Sequence, residues 1–309
     1  MRHIDPRATI ALFGAILCWS AVPLFLKYFT GYIDGWTSNG IRYPFAAIIL
    51  LPWILHEWRK GRLQRKIFRA AIVPAAINFV GQVLWAWTPY YIDPGLMAFL
   101  VRISILWAVL SSFVLFHDER RLIRNPVFWT GFILVVTGFV FMSFSGKIKA
   151  SDTSTFLTGI ILVFFAGIFW AGYQVSVRKY MSEIDSRTAF GVISSYTAVG
   201  LLLVMLLFGD YRDALEAPRS VQLLILLSGL IGITGAHTFF YVAVKRIGVA
   251  IASTSNLLSA FITAFFSFFL FNERLSPVQW IAGIGLVIGS LFLMRAQKSL
   301  INNEVDKIS

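Results

Sequence analysis

Residues 111–120 read SSFVLFHDER, and residues 266–274 read FSFFLFNER. In both stretches an apolar run ends in Phe and is followed within three residues by Glu-Arg. The serines that open the matching runs, Ser112 and Ser267, lie 155 positions apart in a chain of 309 residues. The sequence therefore contains two copies of one joint, each following an apolar segment.

The composition around these joints is that of a membrane protein. Hydrophobic residues make up 58% of the chain, with 29 Phe, and charged residues only 14%, whereas soluble domains carry about 25%. The formal net charge of +12 would suggest a nucleic-acid partner in a soluble protein. The single cysteine excludes a disulfide framework and a cysteine-based zinc site. Most of the chain is predicted to lie in lipid.

A helix needs about 20 apolar residues to cross the hydrocarbon core of a bilayer. Runs of this kind, separated by charges or by Gly, Pro and Asp, predict ten spans. They cover approximately 9–29, 36–55, 69–90, 95–116, 126–145, 156–177, 188–208, 221–244, 249–271 and 277–295. The loops between them are short and leave no room for a soluble domain. We therefore expect an all-α integral membrane protein with ten transmembrane helices.

The Lys and Arg residues predict the orientation, because cytoplasmic loops carry an excess of them. Most of the 27 fall on the side of the N-terminus, including a block at 59–69. An even number of spans then puts both termini in the cytoplasm. We expect a multi-pass protein of the plasma (inner) membrane of a bacterium or archaeon, in contact with lipid. The positive charge then reflects topology, and no nucleic-acid partner is expected.

Further matches extend the repeat over both halves of the chain. Trp19 in the first span returns as Trp170 in the sixth, 151 positions later, and eight residues after each Trp stands a cation, Lys27 or Arg178. After each joint comes a Pro-Val-x-Trp segment. The predicted division is a first five-helix repeat at 8–146, a second at 153–296 and a cytoplasmic tail at 297–309.

Five spans per repeat is an odd number, so the second copy enters the membrane from the opposite side. Inverted repeats are typical of secondary transporters that work by alternating access, since the two halves can exchange conformations. The sequence thus predicts two inverted five-helix repeats and a transport function for a small-molecule substrate.

Two five-span halves, each with a Trp-containing first helix and a Phe-x-(x)-Glu-Arg joint before its last helix, resemble the EamA family of the drug/metabolite transporter superfamily. The resemblance covers roughly residues 8–296. The second half matches better, with FNERL at 271–275, whereas the first half lengthens its joint over 117–124. The resemblance implies a bundle with a central cavity between the halves and with the fifth and tenth helices at the periphery. The resemblance favours export. It does not identify the substrate, because members of the family carry amino acids, other metabolites, sugar-linked nucleotides and toxic compounds.

Polar groups inside spans are costly and usually face a cavity or another helix. Asn78, Gln82 and Trp85 are spaced i, i+4 and i+7 in the third span, so they share one helical face. The 155-residue offset maps Gln82 onto His237 and Trp85 onto Phe240, with Tyr241 adjacent. These residues are predicted to form two walls of one cavity.

Other aromatic and amide residues extend this predicted substrate site. They are Trp19, Trp170, Tyr173, Gln174 and Asn256. Aromatic rings with a few amides suit a substrate that has an apolar body and a polar head. The alternative for the rings is an aromatic belt facing the bilayer, and for the amides it is hydrogen bonding between helices.

Two arginines lie inside predicted spans, where a charge is expensive. Arg102 is predicted either to pack or to face the cavity, where it would hold a carboxylate or phosphate. Arg42 is predicted to snorkel or to bond backbone carbonyls, with contact to an anion as the alternative. Glu119 and Glu273 are predicted to be structural residues that pin the two joints.

No Asp or Glu lies in the interior of a predicted span. Proton- and sodium-coupled carriers commonly keep a buried carboxylate there, so uniport or exchange is favoured. Proton coupling through His237, the one histidine within a span, is the alternative.

Three functional hypotheses follow. The first is a carrier of a small amphipathic metabolite such as an amino acid, and the second is a carrier of organic anions or phosphorylated metabolites using Arg42 and Arg102. The third, a membrane enzyme or sensor, lacks support, because the chain has no HExxH, no Gly-x-Ser-x-Gly and no paired intramembrane carboxylates. We expect no catalytic residue, cofactor or metal, and a monomer or homodimer.

Overall fold

The structure is a computed structural model and describes residues 6–145 and 153–308. Within these ranges the chain is helical and forms no strand. The helices are α1 (Pro6–Phe29), α2 (Gly35–Arg59), α3 (Arg65–Trp87), α4 (Pro94–Leu100), α5 (Ile103–Leu115), α6 (Pro126–Phe144), α7 (Thr153–Met181), α8 (Ser186–Phe208), α9 (Tyr211–Glu216), α10 (Arg219–Gly229), α11 (Ala236–Ile247), α12 (Val249–Ser255), α13 (Ser259–Phe271) and α14 (Pro277–Ile308). A π-helical stretch, Leu230–Gly235, joins α10 to α11. The predicted end of the first repeat at 146 lies outside the described residues.

Local sequence sets where several helices begin. The Asp34 carboxylate accepts a hydrogen bond from the Thr37 backbone N–H at 2.9 Å, and the Asn125 side chain accepts one from the Val127 N–H at 2.9 Å. Asp185 caps α8 in the same way. These caps satisfy backbone donors that have no partner inside the helix. The chain can therefore turn sharply between successive helices.

Nine helical segments of the described chain are long and apolar enough to cross a membrane. They are Pro6–Phe29, Arg65–Tyr90, Pro94–Leu115, Pro126–Phe144, Thr153–Met181, Ser186–Phe208, Arg219–Ile247, Ile251–Phe271 and Pro277–Ser299. The second predicted span, 36–55, is also helical, within α2, but it is not one of the nine. Its first turns carry Asn39 and Arg42 beside Thr37 and Ser38, and these polar residues lower its hydropathy.

The fourth and ninth predicted spans are both interrupted. Val101 and Arg102 separate α4 from α5, and a 3-10 turn at Asn256–Leu258 separates α12 from α13. The two breaks occupy related places in the repeat, because 102 and 257 differ by the same 155 positions as the joints. We call α4–α5 and α12–α13 the broken helices.

The last helices of the two repeats, α6 and α14, pack against each other. A Cβ added to Gly138 would lie 2.8 Å from the Ala282 carbonyl oxygen, and one added to Gly289 would lie 2.9 Å from the Gly131 carbonyl oxygen. Gly138 and Gly289 are related by the repeat, so the contact is reciprocal. Glycine allows the two backbones to approach this closely.

The remaining helices pack in pairs that join the two halves. Helix α1 packs on α11, α3 on α7, α2 on α8 and α4 on α13. Helix α14 continues beyond 296 to Ile308, so the segment predicted as a tail is helical where it is described.

Candidate functional site

The two broken helices meet at a polar contact. Nη2 of Arg102 donates a hydrogen bond to Oγ of Ser259 at 2.6 Å, and this hydroxyl donates to the backbone carbonyl of Asn256 at 2.8 Å. The Thr263 hydroxyl continues the network by bonding the Ser259 carbonyl at 2.8 Å and the Ser20 carbonyl of α1 at 2.9 Å. We call Arg102, Asn256 and Ser259 the break site.

Two polar atoms of the break site are buried without a hydrogen-bond partner in the described chain, Nε of Arg102 and Oδ1 of Asn256. One is a donor on a cation and the other is an acceptor. Buried polar atoms are normally paired, and an unpaired one costs free energy. The break site can therefore supply one charged donor and one neutral acceptor to a bound molecule.

Two aromatic pairs occupy related places on either side of the molecule. The rings of Trp85 and Trp170 lie 4.9 Å apart, and those of Trp19 and Phe240 lie 5.0 Å apart. Trp19 corresponds to Trp170 at an offset of 151, and Trp85 corresponds to Phe240 at an offset of 155. The sequence predicts Trp85 and Phe240 in two walls of one cavity and adds Trp19 and Trp170 to the same site. The structure brings the four rings together as two equivalent pairs.

His237 lies among aromatic rings. Its ring is stacked on Phe190 at 4.0 Å, meets Trp19 edge-on at 5.3 Å and lies 6.2 Å from Tyr241. Nδ1 is 2.8 Å from the Ile233 carbonyl oxygen in the π-helical stretch. This nitrogen is therefore the protonated one in the neutral ring, because the carbonyl only accepts.

The amides of the third span bond to neighbours inside the protein. Nδ2 of Asn78 donates to the Thr197 hydroxyl at 3.1 Å, and Nε2 of Gln82 donates to Oδ1 of Asn78 at 3.4 Å. Tyr173 is half-buried on α7, and Gln174 beside it is exposed. The structure thus places Asn78 between α3 and α8, and it leaves the Gln174 side chain exposed.

Arg42 is buried, with 2% of its surface exposed. Nε donates to the Ser228 hydroxyl at 2.8 Å, and Nη1 donates to Oδ1 of Asn39 at 2.8 Å. The backbone of Gly229 lies close to Arg42, since an added Cβ would be 2.7 Å from the Arg42 carbonyl oxygen. Arg42 therefore joins α2 to α10, and its donors are largely occupied by protein groups.

The Glu119 carboxylate lies at the end of the molecule that holds the C-terminal part of α14, which we call the C-terminal face. It accepts hydrogen bonds from the hydroxyl of Ser112, from Nε2 of Gln297 and from the guanidinium of Arg178, with which it forms an ion pair. Burial by itself raises the pKa of Glu119, but these three bonds and the charge of Arg178 outweigh it and lower the pKa below 4.5.

The Glu273 carboxylate lies at the other end of the molecule, which we call the opposite face. It accepts hydrogen bonds from the backbone N–H groups of Gly95 at 2.7 Å and Leu96 at 2.8 Å and from the Ser267 hydroxyl at 2.5 Å. Burial raises the pKa of Glu273 above its ordinary value, although these bonds act in the other direction. Both joint glutamates are thus bonded within the fold.

The sequence did not predict Ser259, Ser228 and Asn39, which accept hydrogen bonds from the two arginines. Ser259 stands three residues after Asn256, so helical spacing could have connected the two. Nothing in the sequence connects Ser228 with Arg42, which lies 186 positions away.

The protein has several helices long enough to span a membrane, and two broken helices meet at a polar contact. It is therefore a multi-helix membrane protein with an internal polar site. The model of the EamA-like transporter family matches the chain twice, at residues 6–144 and 157–295. The chain therefore belongs to the EamA-like transporter family.

Three curated relatives illustrate the similarity. An uncharacterized transporter of Methanothermobacter thermautotrophicus is 25% identical over 194 residues, which cover 63% of this chain and 54% of the relative. The chain therefore spans about half the length of that protein. The uncharacterized inner membrane transporter YedA of Escherichia coli K12 is 22% identical over 94% of this chain and 91% of its own length. The probable biotin transporter of Pseudomonas aeruginosa is 24% identical over 92% of this chain and 96% of its own.

A protein of known crystal structure has the same fold. The two superpose with a TM-score of 0.59 over 94% of this chain and 98% of the other, at 16% sequence identity. At this identity the likeness concerns the fold alone.

Proposed function

We propose that the protein is a secondary transporter that moves a small amphipathic metabolite, such as an amino acid, by alternating access. It works as a uniporter or exchanger, and export is the direction we propose. The observation that carries this proposal is the Arg102–Ser259 bond between two broken helices, one from each half, beside two unpaired buried polar atoms. Transporters commonly build their substrate sites from discontinuous helices at the interface between repeats.

The architecture we propose is a bundle of ten transmembrane helices in two inverted repeats, with α2 as the tenth span and both termini in the cytoplasm. The reciprocal glycine contact between α6 and α14 and the two equivalent aromatic pairs support it, because a twofold axis relates contacts in this way. Helix α2 packs along α8 and α10, so its polar residues have protein partners. These partners lower the free-energy cost of placing α2 in the membrane.

The site we propose for the substrate lies between the break site and the aromatic pairs Trp85–Trp170 and Trp19–Phe240. The rings would contact the apolar body of the substrate, and the break site would bind its polar head. His237, Tyr241, Asn78 and Gln82 would shape the same space from the surrounding helices, as would Tyr173 and Gln174.

A carrier of organic anions is the second candidate, and one observation favours it. Nε of Arg102 is a charged donor that is buried and unpaired, and carboxylates and phosphates are the usual partners of guanidinium groups. Arg42 contributes less to this candidate, because two of its three guanidinium nitrogens already donate to Ser228 and Asn39. The name of the P. aeruginosa relative fits a carboxylate, since biotin carries one.

Transport in proteoliposomes tests the proposal. The purified protein is first screened by thermal shift against amino acids, biotin, nucleosides, polyamines and sugar phosphates, because a ligand that binds only the folded state raises its stability. The solutes that stabilise it are then loaded into proteoliposomes, and their efflux is measured. We expect protein-dependent, saturable efflux of at least one of them, and no efflux of any would refute the function.

Two substitutions separate the two candidates. Trp85→Ala is expected to weaken transport in both cases, whereas Arg102→Ala abolishes it only if the substrate is bound through an anionic group. Trp58, whose ring is largely exposed at the end of α2, provides the matched control as Trp58→Ala. Intact transport in Arg102→Ala together with loss in Trp85→Ala would eliminate the anion candidate.

A further inference from the structure

The N-terminus of α4 is held in place by a carboxylate from the other half of the chain. Glu273 stands in the joint after α13, and it accepts hydrogen bonds from the Gly95 and Leu96 N–H groups. The two N–H groups are among those that have no partner inside their helix, and a negative charge is favourable at this end of a helix. Glu273 therefore fastens the start of α4 to the end of α13.

The opposite face is tightly closed around this contact. All seven residues of α4 are buried, and a Cβ added to Gly95 would lie 3.0 Å from the Ala264 Cα and 2.7 Å from Oε2 of Glu273. Nζ of Lys27 forms an ion pair with Asp93 at 2.9 Å, directly before α4. Two charged contacts thus hold the same helix end.

The repeat relates this arrangement to one at the C-terminal face. Ser112 corresponds to Ser267, Glu119 to Glu273, and the start of α12 to the start of α4. Each glutamate accepts a bond from its own related serine. Beyond this serine, the two glutamates have different partners.

Besides Ser112, Glu119 accepts hydrogen bonds from Arg178 and Gln297, and neither belongs to α12. Helix α12 is correspondingly open. Ile251 is 52% exposed, and Thr254 is exposed as well, whereas the whole of α4 is buried. Over its described side chains, α12 is therefore less covered by the rest of the protein than α4 is.

We propose that Glu119 and Glu273 are alternating latches, each of which caps the first turn of the facing broken helix when its own face is closed. The present structure then represents one conformation of the transporter. In this conformation Glu273 closes the opposite face, and the C-terminal face is open. In the other conformation Glu119 leaves Arg178 and caps α12, while Glu273 leaves α4 and pairs with Lys27, the residue related to Arg178. This inference rests on the proposed alternating-access function.

The exchange replaces one set of carboxylate contacts by another of the same kind. A latched glutamate has two helix N–H groups and a serine, and a released one has a cation and a serine. Neither glutamate is left as an unpaired buried charge, which would be costly. The two conformations can therefore lie close in free energy, as a transporter requires. The raised pKa of Glu273 and the lowered pKa of Glu119 agree with one desolvated and one ion-paired carboxylate.

Two reporter cysteines at related positions can read the conformation without any substrate. Ser253 in α12 corresponds to Ala98 in α4 at the 155-residue offset, and only Ala98 is buried. Each is replaced by cysteine in a full-length Cys18→Ser background, and the protein is placed in lipid nanodiscs, where both faces are accessible. The rate of reaction with a membrane-impermeant maleimide is measured. We expect Ser253→Cys to react and Ala98→Cys to react slowly.

The latch variants should move the two reporters in opposite directions. Gly95→Ala retains both glutamates but crowds the latched contact of Glu273, so labelling at position 98 should rise about tenfold while labelling at position 253 falls. Arg178→Gln removes the cation that holds Glu119 in its released position, so it should move the two reporters in the same directions. The two substitutions lie at different faces, so either one serves if the other folds poorly.

A general loss of structure would raise labelling at both positions in both variants, and this result would overturn the latches, as would unchanged rates in well-folded variants. The measurement is independent of transport. If the reporters move oppositely while no solute is transported, the latches stand and the proposed function fails. If solutes are transported and the reporters do not move, the function stands and the latches fail.

Discussion

Nη2 of Arg102 donates to the hydroxyl of Ser259 at 2.6 Å, across 157 positions of sequence. Each residue stands at the break of a helix, and each helix belongs to a different half of the chain. A bond at this place connects the halves at the point where their helices expose polar groups. Any relative movement of the halves must change this contact, so a ligand bound there would sense the conformation of the whole molecule.

Replacing Arg102 by alanine is expected to weaken binding of a carboxylated ligand. A hydrogen bond to a charged group contributes about 1.5–3 kcal/mol, so the dissociation constant should rise roughly tenfold to hundredfold. Isothermal titration with a ligand from the stability screen and with its uncharged amide measures the effect. Arg212→Ala, at an exposed position, is the control. Equal losses of affinity for acid and amide would contradict a role in binding the carboxylate.

Replacing Arg42 should instead lower stability. Arg42→Ala leaves the Ser228 hydroxyl and the Asn39 carbonyl oxygen without the donors they have now. Unpaired buried polar groups cost about 1–3 kcal/mol, and the melting temperature in detergent should fall accordingly. Arg102→Ala should lower it less, since one of the Arg102 donors is unpaired already. The opposite order of the two melting temperatures would show that the structural roles are reversed.

Two glycines four positions apart in α14 should respond differently to alanine. A Cβ at Gly289 would lie 2.8 Å from the Val135 backbone nitrogen, whereas nothing lies within 4 Å of a Cβ at Gly285. Gly289→Ala should destabilise the protein by about 1–3 kcal/mol through overpacking. Gly285→Ala is the matched control and should be neutral or slightly stabilising, since alanine favours the helix. Thermal unfolding of both variants checks this, and equal melting temperatures would contradict the close contact of α6 and α14.

The Glu119 ion pair should make stability depend on pH. Because the pKa of Glu119 is lowered in the folded protein, its contribution is present above the ordinary value of 4.5 and is lost as the pH falls through the folded value. The melting temperature of the wild type should exceed that of Glu119→Gln near neutral pH, and the difference should shrink below pH 4.5. A difference that stays constant across this range would mean that the carboxylate charge contributes nothing.

The repeat made part of this site predictable. An offset of 151 relates Trp19 to Trp170, and an offset of 155 relates Trp85 to Phe240. The structure pairs Trp85 with Trp170 and Trp19 with Phe240, while their place in one substrate cavity stays a prediction. Family membership followed from the same matches together with the two Glu-Arg joints. Apolar length predicts ten spans, but the mean hydropathy of α2 is lower than that of the other nine because it carries polar residues such as Asn39 and Arg42. Inside the fold these residues bond to neighbouring helices.

The sequence favours a structural role for Arg42 and leaves a cavity role open for Arg102, but it does not predict the partners of either arginine. These partners, Ser228 and Ser259, lie 186 and 157 positions away. The helix breaks were equally hidden, since neither Val101-Arg102 nor Asn256-Leu257-Leu258 contains glycine or proline. Such a break depends on packing between the halves, and hydrophobic periodicity along one helix does not report it.

Counterflow in proteoliposomes tests the central claim most directly. Vesicles are loaded with an unlabelled solute that stabilises the protein, and a trace of the labelled solute is added outside. An alternating-access carrier exchanges the two, so label should accumulate transiently above its external concentration and then decline, and Arg102→Ala should reduce this peak for a carboxylated solute. Label that only reaches equilibrium, at the rate of protein-free vesicles and for every solute that binds, would contradict transport by this protein.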